Sequence, residues 1–156
     1  MAFVIVNIGS NLGDRRLNLS RAMRAIAGRF GDFELSHAVE SEPWGFDSTN
    51  TFVNIGMAFH SDLPPLDILH ALRQIERSIS AEAHRDADGG YRDRVIDIDI
   101  VAIDRLTVDT PELKLPHPHL EERRFFLEPL AELAPAWTHP AHGLTASQML
   151  ARLGKE

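Results

Sequence analysis

Two aspartates one residue apart are the side chains of this sequence with the clearest capacity for chemistry. Asp97 and Asp99 lie in the run VIDIDIVAI at residues 95–103, whose apolar and β-branched composition predicts a strand. Because side chains alternate along a strand, both carboxylates are expected on one face, about 6.5–7 Å apart at the backbone. Two carboxylates at this spacing suit magnesium, which fills its other positions with water and phosphate oxygens.

An acidic strand face also has a structural interpretation that needs no metal. A half-solvated strand can carry two exposed aspartates, and an isolated D-x-D pattern is more often of this kind. Against this interpretation, aspartate is depleted in strands, and adjacent like charges on a sheet cost stability unless positive charge lies between them. Both interpretations remain open from the strand alone.

Arginines flank the aspartate pair in the sequence and are candidate phosphate ligands. Arg92 and Arg94 precede the pair, and Arg123 and Arg124 follow it. A guanidinium offers a rigid fork of donors to phosphate oxygens and keeps its charge. Each arginine taken alone fits a solvated surface cation better, so only the combined pattern indicates an anion site.

A second strand pattern, at residues 51–60, places polar and aromatic side chains opposite an apolar stripe. Phe52 and Asn54 share that face by alternation. An asparagine there can read the edge of a heterocycle, because its amide both donates and accepts, while Phe52 or Phe125 can stack on the ring. Alternatively, a neighbouring loop satisfies Asn54, and Trp44 covers the core rather than lining a ligand.

Other catalytic signatures are missing from the sequence. The turn GSNLG at residues 9–13 lacks the Lys-Ser/Thr of a phosphate-binding P-loop, and no G-x-S-x-G motif or cysteine nucleophile is present. His117 and His119 flank Pro118 without a third ligand at zinc-site spacing. Covalent and zinc chemistry are therefore disfavoured, although one of these histidines can reach a phosphate.

The elements that must position these side chains alternate between strand and helix patterns. Strands are predicted at residues 2–8, 51–60 and 95–103, with an edge-like strand at 35–41; helices are predicted at 14–30, from Pro64 and Pro65 to about Ser80, in short pieces through Leu133 and near Ala146–Leu153; loops are predicted at 42–50 and 81–93. This order matches the split βαβ pattern of an α+β, ferredoxin-like sandwich. It predicts a mainly antiparallel sheet with helices on one face and a ligand cleft with overhanging loops on the other.

Composition limits the classes of function. The 156 residues fit one domain, and we expect a single catalytic domain over residues 1–156. A net charge of −7 disfavours nucleic acid as a partner. The sequence has no cysteine, no secretion signal and no apolar run near the about 18 residues that cross a bilayer, so we expect a cytoplasmic protein without a membrane partner.

Six segments carry a family resemblance. They are NIGSNLG at residues 7–13, SEPWG at 41–45, FVN at 52–54, IE at 75–76, RVIDIDI at 94–100, and LPHP at 115–118 followed by Arg123 and Phe125. Together they resemble the 6-hydroxymethyl-7,8-dihydropterin pyrophosphokinase family over nearly the whole chain. The R-x-x-D-x-D-[IL] string followed by P-H-P is highly specific in that order, whereas GSNLG alone is only suggestive.

The resemblance implies a reaction and a set of site residues. The implied reaction transfers pyrophosphate from ATP to the hydroxymethyl group of the reduced pterin, an early step of folate biosynthesis, and gives AMP and the pterin pyrophosphate. Asp97 and Asp99 would hold two magnesium ions, with Arg94 and Arg123 also catalytic. The implied ATP contacts are Glu76, Arg94, His117 and Arg123, and the implied pterin contacts are Pro43, Trp44, Gly45, Phe52, Asn54 and Phe125. The enzyme is expected to be a monomer whose partners are these two substrates.

Two other functions fit parts of the same pattern. A metal-dependent nucleotidyltransferase or phosphohydrolase also uses paired aspartates. A small-molecule-binding regulatory domain can share the architecture, because fold alone does not fix function. Reaction products separate the three hypotheses, since only the pterin kinase releases AMP together with a pyrophosphorylated pterin.

The predicted loop after Glu76 departs from the family pattern. A Gly-Arg pair and a further arginine are expected there, whereas this chain has SAEA at residues 80–83, and Tyr91 stands where some members carry tryptophan. We therefore expect fewer phosphate contacts, with weaker ATP binding or lower turnover. Arginine at both Ala81 and Ala83 should raise kcat/KM for ATP in steady-state assays, and unchanged kinetics would show that this loop does not limit the reaction.

Overall fold

The chain forms a sheet of five strands with helices packed against it. The computed structural model describes residues 1–42, 51–83 and 95–154. The strands are β1 (Ala2–Ser10), β2 (Phe33–Leu35), β3 (Val39–Ser41), β4 (Phe52–Ser61), β5 (Asp97–Ile103), β6 (Val108–Asp109) and β7 (Lys114–Leu115). The helices are α1 (Arg15–Phe30), α2 (Pro65–Ala83), α3 (Arg124–Leu133) and α4 (Ala146–Leu153), with a short 3₁₀ turn at Leu120–Glu122.

The main sheet has two interlocked split βαβ units. Its order is β2-β4-β1-β5, with β3 also paired to β4, and every pairing is antiparallel. In the first unit, α1 connects the parallel strands β1 and β2, and β4 lies between them. In the second unit, α2 connects the parallel strands β4 and β5, and β1 lies between them. The predicted α+β, mainly antiparallel architecture is confirmed, and this order is compatible with a ferredoxin-like sandwich.

The two faces of the sheet bury different sets of side chains. Helices α1 and α2 cover one face, where Val6, Met57 and Ile98 are fully buried. Helices α3 and α4 pack on one end of the other face, around Ile5 and Ala58. The predicted helix layer is therefore present, and a second, smaller layer joins it because the second face is apolar at that end and needs a cover.

Helix α1 begins and ends where its sequence supplies caps. The Asp14 carboxylate accepts the N–H of Leu17 at 3.1 Å, which satisfies one of the free donors of the first turn. Gly31 follows the last turn at φ 90° and donates its N–H to Ala27 O at 2.8 Å. The bounds agree with the predicted helix at residues 14–30 to within one residue.

The predicted edge strand at residues 35–41 is divided into β2 and β3 in the structure. Ser36 causes the break, because its hydroxyl accepts the N–H of Gly56 at 2.8 Å while its own N–H is donated to Gly56 O at 3.0 Å. Helix α2 runs to Ala83, so the first three residues of the predicted loop 81–93 are helical. The rest of that loop, and residues 43–50 of the loop predicted at 42–50, lie outside the described residues.

No helix in the described part of the chain is long and apolar enough to cross a membrane.

Gly56 tests how closely α3 packs on the sheet. A Cβ at this position would lie 2.5 Å from Cβ of Pro129 and 3.1 Å from Cδ1 of Leu133. Gly56→Ala should therefore lower the free energy of unfolding by about 1–3 kcal/mol through overpacking, as measured by urea denaturation.

Gly28→Ala is the matched control. Gly28 lies inside α1 with no atom within 4 Å of its added Cβ. The free energy of unfolding of this variant should rise by about 0.4–1 kcal/mol, since its chain loses less conformational entropy on folding. Equal effects of the two substitutions would contradict the close approach of α3.

Candidate active site

The two aspartates share one face of the sheet with Asn54. In the register of the three central strands, Asp97 of β5 is opposite Gly9 of β1, and Gly9 is opposite Asn54 of β4. Residues directly opposite in antiparallel strands project from the same face, so these positions form one row across the sheet. Asp99 begins the next row, beside Asn7 and Gly56. The predicted shared face of Asp97 and Asp99 is therefore present, and the register places Asn54 on the same face of the sheet.

Gly9 leaves the space that the row requires. A Cβ on Gly9 would lie 2.9 Å from Oδ1 of Asn54 and 3.3 Å from Cδ1 of Phe52. Asn54 and the half-buried Phe52 thus occupy the volume above Gly9. The first glycine of the GSNLG segment thus makes room for these two side chains, a role that its sequence alone did not indicate.

Asn54 is a buried hydrogen-bonding centre. Its Oδ1 accepts from Nδ2 of Asn7 at 3.2 Å, and its Nδ2 donates to Ser41 Oγ at 2.8 Å and Val39 O at 3.3 Å. The side chain is 2% exposed. These partners fix the orientation of the amide, so the structure contains the local satisfaction of Asn54 that the sequence left as an alternative.

Asp99 is destabilised in its charged form. Burial and then the charge of Asp97 raise its pKa to about 7, although Arg123 and Arg73 oppose the shift. Both carboxylates are half-buried and offer hard oxygen ligands. Such a pair fits a divalent cation such as magnesium, because the cation would remove the repulsion that the two nearby arginines leave.

Arg123 links the aspartates to an aromatic group. Its pKa is lowered by burial, and the charges of Asp99 and Asp97 oppose that effect. The guanidinium carbon lies 5.6 Å from the ring centre of Phe125 and 5.0 Å from that of Phe126, which is within cation–π distance. Phe125 is half-buried and Phe126 is buried, so Phe125 is the ring that a ligand can reach.

His117 is held as a neutral side chain. Burial, Arg123 and His119 lower its pKa to about 4. Its Nδ1 accepts the N–H of His119 at 3.1 Å, so Nε2 carries the proton and is a donor. The backbone N–H of His117 donates to Val101 O at 2.9 Å, which fastens the P-H-P segment to β5.

Glu76 contacts the strand between the two aspartates. Its Oε2 accepts the N–H of Ile98 at 2.6 Å, and its Oε1 accepts from Nη1 of Arg73 at 2.7 Å. Arg73 Nη1 also donates to Ile98 O at 3.0 Å. Sequence reasoning missed Arg73, although an arginine three residues before a glutamate on one helix face predicts such a pair.

An open cleft of about 210 Å³ lies beside the outer edge of β5. It is lined by Leu69, Arg73, Asp99, Ile100, Pro111, Glu112, Leu113, Lys114, His117 and Pro118. The lining combines apolar side chains, which suit a nucleotide base, with positively charged hydrogen-bond donors, which suit its phosphates. Asp99 therefore lies between this cleft and the side chains above Gly9.

Five of the candidate site residues lie outside the described residues. They are Pro43, Trp44, Gly45, Arg92 and Arg94. Their predicted roles stay predictions.

A second group of possible metal ligands is arranged for hydrogen bonding. Ligand atoms of Glu121, His139 and His142 lie within 4.8 Å of one another, and His142 Nε2 is 3.0 Å from Glu121 Oε1. However, Nδ1 of each histidine accepts a backbone N–H, from Ala141 at 3.1 Å and from Leu144 at 3.3 Å. A neutral imidazole has one free lone pair, so Nε2 carries the proton and does not offer an electron pair to a metal.

Comparisons with known proteins identify the family of this chain. The sequence profile of the family described as 7,8-dihydro-6-hydroxymethylpterin-pyrophosphokinase matches residues 5–135. A 2-amino-4-hydroxy-6-hydroxymethyldihydropteridine pyrophosphokinase from Porphyromonas gingivalis is 44% identical over 142 residues, which cover 90% of this chain and 95% of that protein. The enzyme of the same name from Aquifex aeolicus is 32% identical over 142 residues, covering 91% and 86%.

Solved structures share the fold. A crystal structure of Plasmodium falciparum HPPK-DHPS has a TM-score of 0.73 at 13% sequence identity, and the match covers 97% of this chain but only 43% of that larger one. At 13% identity, this similarity shows only that the fold is shared. From the profile match and the curated relatives together, the chain belongs to the 7,8-dihydro-6-hydroxymethylpterin-pyrophosphokinase family.

Proposed function

We propose that this chain transfers pyrophosphate from ATP to the 6-hydroxymethyl group of 6-hydroxymethyl-7,8-dihydropterin, in folate biosynthesis, at the face that carries Asp97 and Asp99. The observation that carries the assignment is the position of this carboxylate pair between two different surroundings, a cleft suited to a nucleotide and an amide-and-aromatic group suited to a heterocycle. AMP and the pterin pyrophosphate are the products. ATP is a co-substrate of every pyrophosphokinase of this kind, and residues 1–156 act as one catalytic domain and as a monomer.

The nucleotide belongs in the cleft beside β5. Leu69 and Leu113 offer apolar surface to the base, while Lys114 and His117 offer donors to oxygen atoms. His117 is neutral at physiological pH, because its pKa is near 4, and so it donates from Nε2 without adding charge. Glu76 holds the strand that carries the aspartates, and its direct contact with ATP stays a prediction from resemblance.

The pterin belongs above Gly9. Phe125 and Phe52 can enclose its ring. Pro43, Trp44 and Gly45 are proposed as further pterin contacts. Both N–H groups of the Asn54 amide already donate to β3. The edge of the pterin therefore donates to the remaining lone pair of Asn54 Oδ1, or it accepts from the amide N–H groups after β3 moves. This orientation is set by Asn7 before any ligand arrives.

Asp97 and Asp99 would hold two magnesium ions, which would neutralise charge on the attacking and leaving oxygens. The chain's own contribution is position and charge. Arg123 lies beside the aspartates and against Phe125, so it can contact a phosphate oxygen at the junction of the two substrates. Arg94 is proposed as a further catalytic and ATP-binding residue. Transfer of this kind needs little covalent help, because it depends on alignment and on stabilising spread negative charge.

Replacement of either aspartate by alanine should abolish the reaction. Asp97→Ala and Asp99→Ala are expected to lower kcat/KM on the order of a thousandfold or more, because the cation loses a ligand next to the phosphates. The assay is chromatography for AMP after incubation with ATP, magnesium and 6-hydroxymethyl-7,8-dihydropterin, with circular dichroism to confirm the fold.

Asp32→Ala is the control for this test, since Asp32 is an exposed carboxylate next to α1. It should keep full activity. Release of phosphate or pyrophosphate without a pterin acceptor would instead assign a hydrolase, and normal AMP formation by Asp99→Ala would remove the carboxylate pair from the mechanism.

The stability of the metal-free protein should depend on pH, because the charged form of Asp99 is disfavoured. The pKa of Asp99 is about 7 in the folded chain against an ordinary value of 3.8, so the folded state binds a proton that the unfolded state releases between these pH values. The stability of the metal-free wild type therefore falls as pH rises towards 7, and the loss is complete above it. Asp99→Asn removes this loss.

In EDTA, the Tm of Asp99→Asn should exceed that of the wild type by a few degrees at pH 8 and by less at pH 5. His117 contributes equally to both proteins and cancels in the difference. Saturating magnesium should raise the wild-type Tm at pH 8 without a comparable effect on Asp99→Asn. A Tm difference that is the same at both pH values would contradict the raised pKa of Asp99.

A further inference from the structure

Strand β5 is an edge of the sheet at the position of the site. It pairs with β1 on one side, and it is the last strand in the order of the main sheet. The peptide groups that face away from β1 therefore need partners from elsewhere. At Ile98, between the two aspartates, those partners are side chains of α2: Glu76 accepts the N–H at 2.6 Å and Arg73 donates to the carbonyl at 3.0 Å.

Arg73 and Glu76 thus replace a neighbouring strand over one residue. The 2.7 Å ion pair between them joins the two halves of this contact into a closed ring with the backbone of Ile98. Because Asp97 and Asp99 are bonded to Ile98 on either side, the ring fixes the backbone from which both carboxylates project. Glu76 is well buried, with 14% of its side chain exposed, so the contact is shielded from water.

Arg73 does more than hold the strand. A guanidinium has five N–H donors in a flat fork, and the two contacts above use only Nη1. Across the described residues, Nε and Nη2 have no acceptor. The side chain is 39% exposed and lines the cleft together with Asp99, Lys114 and His117. Its unused donors are therefore available at the wall of the cleft.

The other cations of the cleft are less available or differently placed. Lys114 is paired with Asp109 at 2.5 Å on the outer rim. The segment at residues 80–83 carries no arginine, although it follows Arg73 on the same helix by two turns. An acidic chain that binds a polyphosphate needs a fixed positive charge near its carboxylates, and Arg73 supplies one beside Asp99.

We propose that Arg73 is a nucleotide-binding and positioning residue, which holds the Ile98 carbonyl and Glu76 with Nη1 and binds a phosphate oxygen of the nucleotide with Nε and Nη2. This inference rests on the placement of ATP in the cleft. Arg73 thereby couples occupancy of the cleft to the geometry of the carboxylate pair.

The test measures binding rather than turnover alone. The probe is an ATP analogue with a methylene bridge between the α and β phosphorus atoms, because transfer would break that bond and the analogue stays intact. Isothermal titration with magnesium compares wild type, Arg73→Gln, Arg73→Lys and Arg24→Gln. Arg24 is an exposed arginine of α1 without a hydrogen bond or ion pair to the described part of the chain, so its replacement is a matched loss of one charge.

Arg73→Gln should weaken binding of the analogue about ten- to a hundredfold, the usual loss for a hydrogen bond to a charged group. Arg24→Gln should bind like the wild type. Arg73→Lys should bind more tightly than Arg73→Gln, because it keeps a charge at the cleft wall. Adenosine, used as a competitor without phosphates, should bind Arg73→Gln and wild type equally, and the affinity for the pterin should not change.

Three results would overturn the proposal. They are equal affinities of Arg73→Gln and Arg24→Gln for the analogue, equal affinities of Arg73→Lys and Arg73→Gln, and a loss of adenosine affinity as large as the loss of analogue affinity, which would show a purely structural role. Failure of the proposed site would look different, since Asp99→Asn would then leave binding of the analogue unchanged. If only Arg73 is wrongly assigned, the Asp99 effect persists.

Discussion

Two carboxylates project from the same face of β5 at half-buried positions, and their repulsion governs what surrounds them. Arg123 approaches from the side of α3 and Arg73 from α2, yet the pKa of Asp99 stays near 7. Two arginines therefore do not compensate the pair. The remaining deficit of positive charge is what a hard cation fills, and a cation held there can attract the phosphates that a chain of net charge −7 would otherwise repel.

The parts of the site that follow from alternation along one strand could be predicted from the sequence. Asp97 and Asp99 lie on one face, and Asn54 lies opposite the apolar stripe of its own strand, because both arrangements depend only on the period of two in β5 and β4. The last helix, Ala146–Leu153, was also predicted within its observed bounds, since Thr145 and Gln148 form a capping box that depends on neighbouring residues only.

The parts that depend on contacts between elements could not be predicted. Asn54 was left with two interpretations, because its partners Asn7 and Ser41 come from strands whose register no local pattern specifies. The contact of Arg73 with the Ile98 carbonyl was missed for the same reason, since the two residues are 25 positions apart. The division of the 35–41 strand likewise arises from Ser36 meeting Gly56 on β4. Side-chain chemistry could be predicted from local sequence, whereas its partners required the tertiary fold.

The ring formed by Arg73, Glu76 and the Ile98 backbone has a consequence beyond the reaction. A bare sheet edge is a template on which a strand of another chain can add, and such addition is a common start of aggregation. At Ile98 both outward backbone groups are already occupied, and a charged pair stands where an incoming chain would need its own amides. The same residues that hold the carboxylates in place thereby protect β5 against intermolecular β-sheet growth.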